Sequence, residues 1–222
     1  MNPSFREVIT AADGDRLDLF LSAATRMGTA VQNVEKDFWV CWTLDALFNG
    51  LAAGGPRLLF KGGTSLSKAF GLISRFSEDI DITVFRDDLG QAAEVAELDA
   101  LSGKKRRARL EAIRIACQTY IAGPLADQFT QIAGAVIPDG RFRLELDPDD
   151  KDGQTLLFWY PAVTPTTNDY IRSAVKIESG AKSALDPHIV ASVKPYVAQD
   201  LSALDLTVHN VTTVKPERTF WD

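Results

Sequence analysis

Histidine and cysteine are nearly missing from this sequence: each occurs twice in 222 residues. With only His188 and His209 available, a zinc centre built on imidazoles or a triad with a histidine base is not expected. Any metal here would be held by oxygen ligands. Cys41 and Cys117 lie far apart in apolar, helix-like contexts and read as buried free thiols rather than a disulfide or a metal pair. A run of about 18 apolar residues is absent. The N-terminus MNPSFREVITAADGDRLDLF carries acids where a secretory leader would carry basic and then apolar residues. A soluble, cytoplasmic protein without a membrane partner is therefore expected. Positive charge is not in excess either. Thirty acids against 24 lysines and arginines leave a net charge of -6, which does not advertise nucleic-acid binding but leaves room for a local basic groove.

What is present is an ordinary globular composition, 45% hydrophobic, with enough chain to bury one sizeable core. Helical spacing marks residues 15–27 and 31–49, the latter with Val34, Phe38, Cys41, Trp42 and Leu44 on its apolar positions. Gly54, Gly55 and Pro56 break the chain before a short strand candidate, RLLF at 57–60, followed by a glycine turn and a helix from about Thr64 to Phe70. Residues 79–85 alternate acid with Ile or Val, a strand pattern. Two helices are expected across 91–127, the second opening with KKRRAR at 104–109. Strand signals return at 141–146, 154–160, 169–178 and 204–214, joined by turn-rich segments such as DPDDKDG. The fold class predicted is α/β, or α+β, with a mixed sheet flanked by helices.

The chemistry concentrates in KGGTSLSKAFGLISRFSEDIDITV, residues 61–84. Residues two apart in a strand face the same way, so Asp79 and Asp81 project together while Ile80 and Ile82 point to the opposite side. Adjacent carboxylates repel unless a cation sits between them, and oxygen-held magnesium fills its other positions with waters and nucleotide phosphates. A half-exposed strand with a chance acid-apolar alternation gives the same letters. Likewise, Gly62, Gly63, Thr64 and Ser65 supply either a tight turn with a capping hydroxyl or a phosphate cradle of backbone amides and hydroxyls at a helix start. The two halves together describe a nucleotide site: phosphate on the turn, metal on the acids.

This stretch resembles the AbiEii/AbiGii toxin family, whose members have a DNA polymerase β-like nucleotidyltransferase core. The likeness extends to VEKDFWVCWTLDALF upstream, to VKIE at 175–178 and to the terminal PERTFWD, so it spans nearly the whole chain. It implies one nucleotidyltransferase domain over 1–222 with N-terminal helices. Gly63, Thr64 and Ser65 would contact the triphosphate, with Gly62 in the same turn, and Asp79 and Asp81 would hold Mg2+ or Mn2+. Ser77 matches a hydroxyl position near the acids. Polymerase β-like cores use a third carboxylate from a neighbouring strand, for which Glu178 is the candidate. Lys176, on the same predicted face, pairs with that acid or with phosphate, and Lys61 and Arg75 flank the motifs as candidates for neutralising phosphate charge.

The family's pattern continues past a segment like TFWD with a lysine and a helical region carrying a further aspartate. This sequence stops at Asp222, so those positions and most of a C-terminal helical subdomain are expected to be missing from it. The implied activity is transfer of a nucleoside monophosphate from an NTP to an acceptor hydroxyl, by a toxin of a toxin-antitoxin or phage-defence system with a cognate antitoxin protein. The 3′ end of tRNA is the expected acceptor, with KKRRAR as a candidate RNA contact. A protein hydroxyl competes as acceptor, and a catalytically inactive nucleotide- or partner-binding module is the alternative of another class.

Overall fold

A computed structural model describes residues 1–73, 76–93, 95–165, 172–183 and 185–219. Three helices come first: α1 (Ser4–Thr10), α2 (Asp13–Met27) and α3 (Val31–Asp45), the last running into a wider turn at Ala46–Gly50. Strand β1 (Leu58–Lys61), helix α4 (Gly62–Lys68) and strand β2 (Asp79–Val84) follow, then α5 (Val95–Ala100), α6 (Gly103–Tyr120) and α7 (Ala126–Val136). Five further strands, β3 (Arg143–Leu146), β4 (Thr155–Trp159), β5 (Ala174–Gly180), β6 (His188–Val193) and β7 (Val208–Val214), precede a short α8 (Pro216–Thr219).

The strands form one seven-stranded sheet in the order β3-β4-β5-β2-β1-β7-β6. It is mixed: β2 runs parallel to β5 and β1 parallel to β7, while the other neighbours are antiparallel. The α/β class with a mixed sheet and flanking helices is as the sequence predicts. Helices α1, α7 and α8 and strand β6 went unpredicted; α7 runs on past the 91–127 stretch in which the sequence placed its helices. Helix α1 is only seven residues long, and it persists because Phe5, Val8 and Ile9 are buried against the rest of the molecule. Strand β6 lies at a sheet edge with Val190 exposed and only Ala191 and Val193 buried, which leaves little apolar alternation to read. The predicted strand at 169–178 is observed from Ala174, and its residues 169–171 lie outside the described ones.

Alternation along the strands gives the sheet two different faces. On one, Phe60, Ile80, Ile82, Leu156, Phe158, Val175 and Ile177 enter the main core with Phe38, Trp39 and Trp42 of α3 and Phe129 of α7. Trp42, Phe129 and Phe158 meet pairwise at 5.1–5.7 Å between ring centroids. Each such side chain contributes about 1.5–3 kcal/mol by leaving water. The other face carries a smaller apolar patch of Leu59, Phe85 and Val214, and beside it the acids of β2 and β5.

Candidate active site

The pairing of β2 with β5 sets Asp81 opposite Glu178 and Asp79 opposite Lys176. Because β1 pairs antiparallel with β2, Lys61 stands opposite Asp81 on the other side, and Thr155 of β4 stands opposite Glu178. Lys61, Asp81, Glu178 and Thr155 thus form one rank across four strands on a single face. Two of the sequence candidates from distant parts of the chain, Asp81 and Glu178, become direct neighbours.

Electrostatics follow from that placement. Burial, then the adjacent Glu178 carboxylate, push the Asp81 carboxyl up to about 6, and Lys61 opposes this. Asp79 is also raised, first by burial and then by Glu78, with Lys36 pulling the other way. Lys176 ion-pairs with Glu178 at 2.6 Å, and this hydrogen bond holds its ammonium above the usual lysine range. Like charges pressed together in a partly buried place are what a bound cation relieves. Among the described residues, no three His, Cys, Asp or Glu side chains stand ready to hold a metal. By type the donors suit a hard divalent ion: Asp79 and Asp81 of β2 and Glu178 of β5 are carboxylates on adjacent strands, and Asp81 and Glu178 repel each other.

The glycine turn is tied to the acids more tightly than spacing suggests. Gly62 has φ +76°, and a Cβ there would lie 2.0 Å from Asp81 Oδ2, so only glycine lets the turn pass over the carboxyl. The sequence expected the hydroxyls of Thr64 and Ser65 to face phosphate. Both side chains are buried: the Ser65 hydroxyl donates to the Gly62 carbonyl at 2.8 Å, and the Thr64 hydroxyl donates to the Asp79 carbonyl. With its proton so used, Thr64 accepts the Ser77 hydroxyl at 2.7 Å. These bonds lock α4 onto the start of β2. The groups that remain for an anion are the first-turn amides of Gly63 and Thr64, which have no acceptor within the helix, whereas the Ser65 amide closes the first turn on the Lys61 carbonyl. Lys61 donates to Ser183 at 3.1 Å from the strand leading into the turn. Arg75, also predicted here, lies outside the described residues, as do Phe220, Trp221 and Asp222 of the terminal motif.

The structure adds residues that spacing could not find. Lys36 of α3 is buried and pairs with Glu78, the residue before Asp79, at 2.5 Å. Asp37 pairs with Lys68 at the end of α4 and accepts the Tyr196 amide at 2.7 Å, while Glu35 accepts the amides of Val163 and Thr164. Three consecutive charged residues normally signal a solvated face; here each reaches a different segment. Asp147, from the DPDDKDG turn, lies 3.8 Å from Lys176. The basic run of α6 is largely exposed, with Arg106 paired to Asp99. Both cysteines are buried and free. Among the described residues, no helix is long and apolar enough to cross a membrane.

Comparison with known proteins bears on this site. A family model described as nucleotidyl transferase AbiEii toxin, type IV TA system, matches residues 45–222, which include both halves of the motif and Glu178. No curated protein matches at a significant level. Among solved structures, MenT4, a nucleotidyltransferase toxin from Mycobacterium tuberculosis H37Rv, is similar at 15% identity with a TM-score of 0.45 over 90% of this chain. The chain spans 56% of the length of that structure.

Proposed function

The chain belongs to the AbiEii family of nucleotidyltransferase toxins of type IV toxin-antitoxin systems, and from that premise we propose that its acid site transfers a nucleoside monophosphate from an NTP to an acceptor hydroxyl. The observation that carries this reading is the register of β2 on β5, which sets Glu178 directly beside Asp81 two residues from Asp79. Asp79, Asp81 and Glu178 would hold Mg2+ or Mn2+, which when bound neutralises charge on the phosphates.

The chain's own groups do the rest. The amides of Gly63 and Thr64 receive triphosphate oxygens, with Lys61 supplying positive charge beside them. The acceptor oxygen attacks the α-phosphorus, the bond to the β-phosphate bridging oxygen breaks, and pyrophosphate leaves. The hydroxyl proton passes to a carboxylate of the rank, Glu178 being nearest in role to a general base. Alignment and electrostatics supply most of the rate. The acceptor we favour is the 3′ end of tRNA, supported by the exposed Lys104, Lys105 and Arg107 on α6, and the regulating partner is a cognate antitoxin protein. A protein hydroxyl is the second acceptor to test.

The experiment incubates the chain with each labelled NTP, Mg2+, total RNA and cell protein, beside Asp79→Ala. Label on RNA that disappears in the variant supports the reading. Label independent of Asp79 overturns the site, and a folded chain silent with all four nucleotides points to a binding module instead.

A further inference from the structure

Two carboxylates compete for one ammonium at the edge of the acid site. Lys176 Nζ lies 2.6 Å from Glu178 Oε1 and 3.8 Å from Asp147 Oδ2. Asp147 is 7% exposed; its Oδ1 accepts the Asp149 amide at 3.0 Å, and its own amide donates to the Thr155 carbonyl, which anchors it next to the residue opposite Glu178. Its Oδ2 therefore faces Lys176 across a gap longer than a hydrogen bond. A carboxylate so withdrawn from water is costly without a close cation, and here the cation leans the other way. Asp147, Thr155, Lys176 and Glu178 line one open cleft of about 330 Å³, so the lysine has room to move. The two distances differ by 1.2 Å, which a rotation about the flexible lysine stem covers.

We propose that Lys176 is the internal counter-ion of the acid site: it holds Glu178 while no divalent cation is bound and swings to Asp147 when one takes that carboxylate, which makes Asp147 a positioning residue. This rests on the assignment of Asp79, Asp81 and Glu178 as the metal-holding acids. The device solves two problems with one side chain. Before loading, it offsets part of the repulsion between Glu178 and Asp81. After loading, it removes a positive charge from the ion's immediate neighbourhood and completes the pairing of a buried aspartate. Asp147 acts only through Lys176, so its effect must vanish when the lysine is gone.

Mn2+ binding to the 222-residue chain, read by electron paramagnetic resonance of the free ion at low salt without nucleotide, tests this directly. The set is wild type, Lys176→Met, Asp147→Asn, the double variant and Asp81→Asn as the control for the site itself. Asparagine keeps the acceptor for the Asp149 amide, and thermal unfolding checks that each variant is folded. Lys176→Met should bind Mn2+ tighter, on the order of tenfold, because a competing cation has been removed. Asp147→Asn should bind several-fold more weakly, and the double variant should match Lys176→Met. In label transfer, Asp147→Asn should raise the Mg2+ requirement with little change in KM for the NTP. Weaker or unchanged binding by Lys176→Met, or an Asp147→Asn defect that persists in the double variant, overturns the proposal alone if Mn2+ binding still depends on Asp81. Mn2+ binding that is absent, or indifferent to Asp81→Asn, overturns the metal site and this inference together.

Discussion

A buried group of charges on α3 and a partly buried group on β2 and β5 are built on opposite principles. On α3, Lys36 meets Glu78, Asp37 meets Lys68, and Glu35 accepts two backbone amides, so every charge has an opposite or a donor. Lys68 also lies 3.9 Å above the centre of the Tyr196 ring. On β2 and β5, Asp81 lies beside Glu178 and two residues from Asp79, with Lys176 at one end and Lys61 at the other, and both aspartates are raised above the ordinary carboxylate value. Satisfied charge holds parts together; unrelieved like charge marks a candidate site. The first group grips the second, since Lys36 reaches the residue before Asp79 and Asp37 reaches the last residue of α4.

The contrast can be broken at either side. Asp81→Ala should lower label transfer on the order of 10³-fold while leaving the melting temperature unchanged or raised, because a repulsion has been removed along with a ligand. Asp37→Ala should do the reverse in kind: it strands the Lys68 ammonium and should cost about 3–5 kcal/mol in denaturant unfolding. Replacing both partners, Asp37→Leu with Lys68→Met, should recover much of that loss, which would mark the pair as scaffold rather than chemistry. Gly62→Ala joins the two sides. Its positive φ and the clash with Asp81 should cost about 1–3 kcal/mol of stability and reduce transfer as well.

The smallest expected effect is on pH dependence. Asp81 in the folded chain binds its proton more tightly than in the unfolded chain, so its contribution to stability is present below about pH 4 and is lost as pH rises through about 6. In chelator-treated protein, Asp81→Asn should flatten the unfolding free energy between those values. A slope that survives the substitution assigns the titration to another group.

Much of this was legible in the letters. The period-2 alternation from Asp79 to Ile82 put both aspartates on one face, and the glycine pair after RLLF put the turn between a strand and a helix. Those inferences use only local geometry, which short stretches carry in full. Reading Thr64 and Ser65 as facing outward had the same local basis, but the local signal is ambiguous. A hydroxyl in the first turn of a helix serves an anion or the neighbouring backbone equally well, and here β2 passes close enough to take it. Helix α1 and strand β6 escaped notice because one is too short and the other too exposed to show a period. Asp147 looked like one of several turn acids.

The sequence by itself determined which side chains could carry charge on which face of each strand, because alternation is a property of the backbone. It also marked the chain's kinship through the paired motifs. Only the tertiary structure decided that Glu178 would lie beside Asp81, that Lys36 and Lys68 would be buried, and that Lys176 would stand between Glu178 and Asp147. Those facts depend on strand order and register, on a pairing of β2 with β5 across nearly 100 residues of intervening chain. That is settled by how the whole apolar face packs rather than by any local preference.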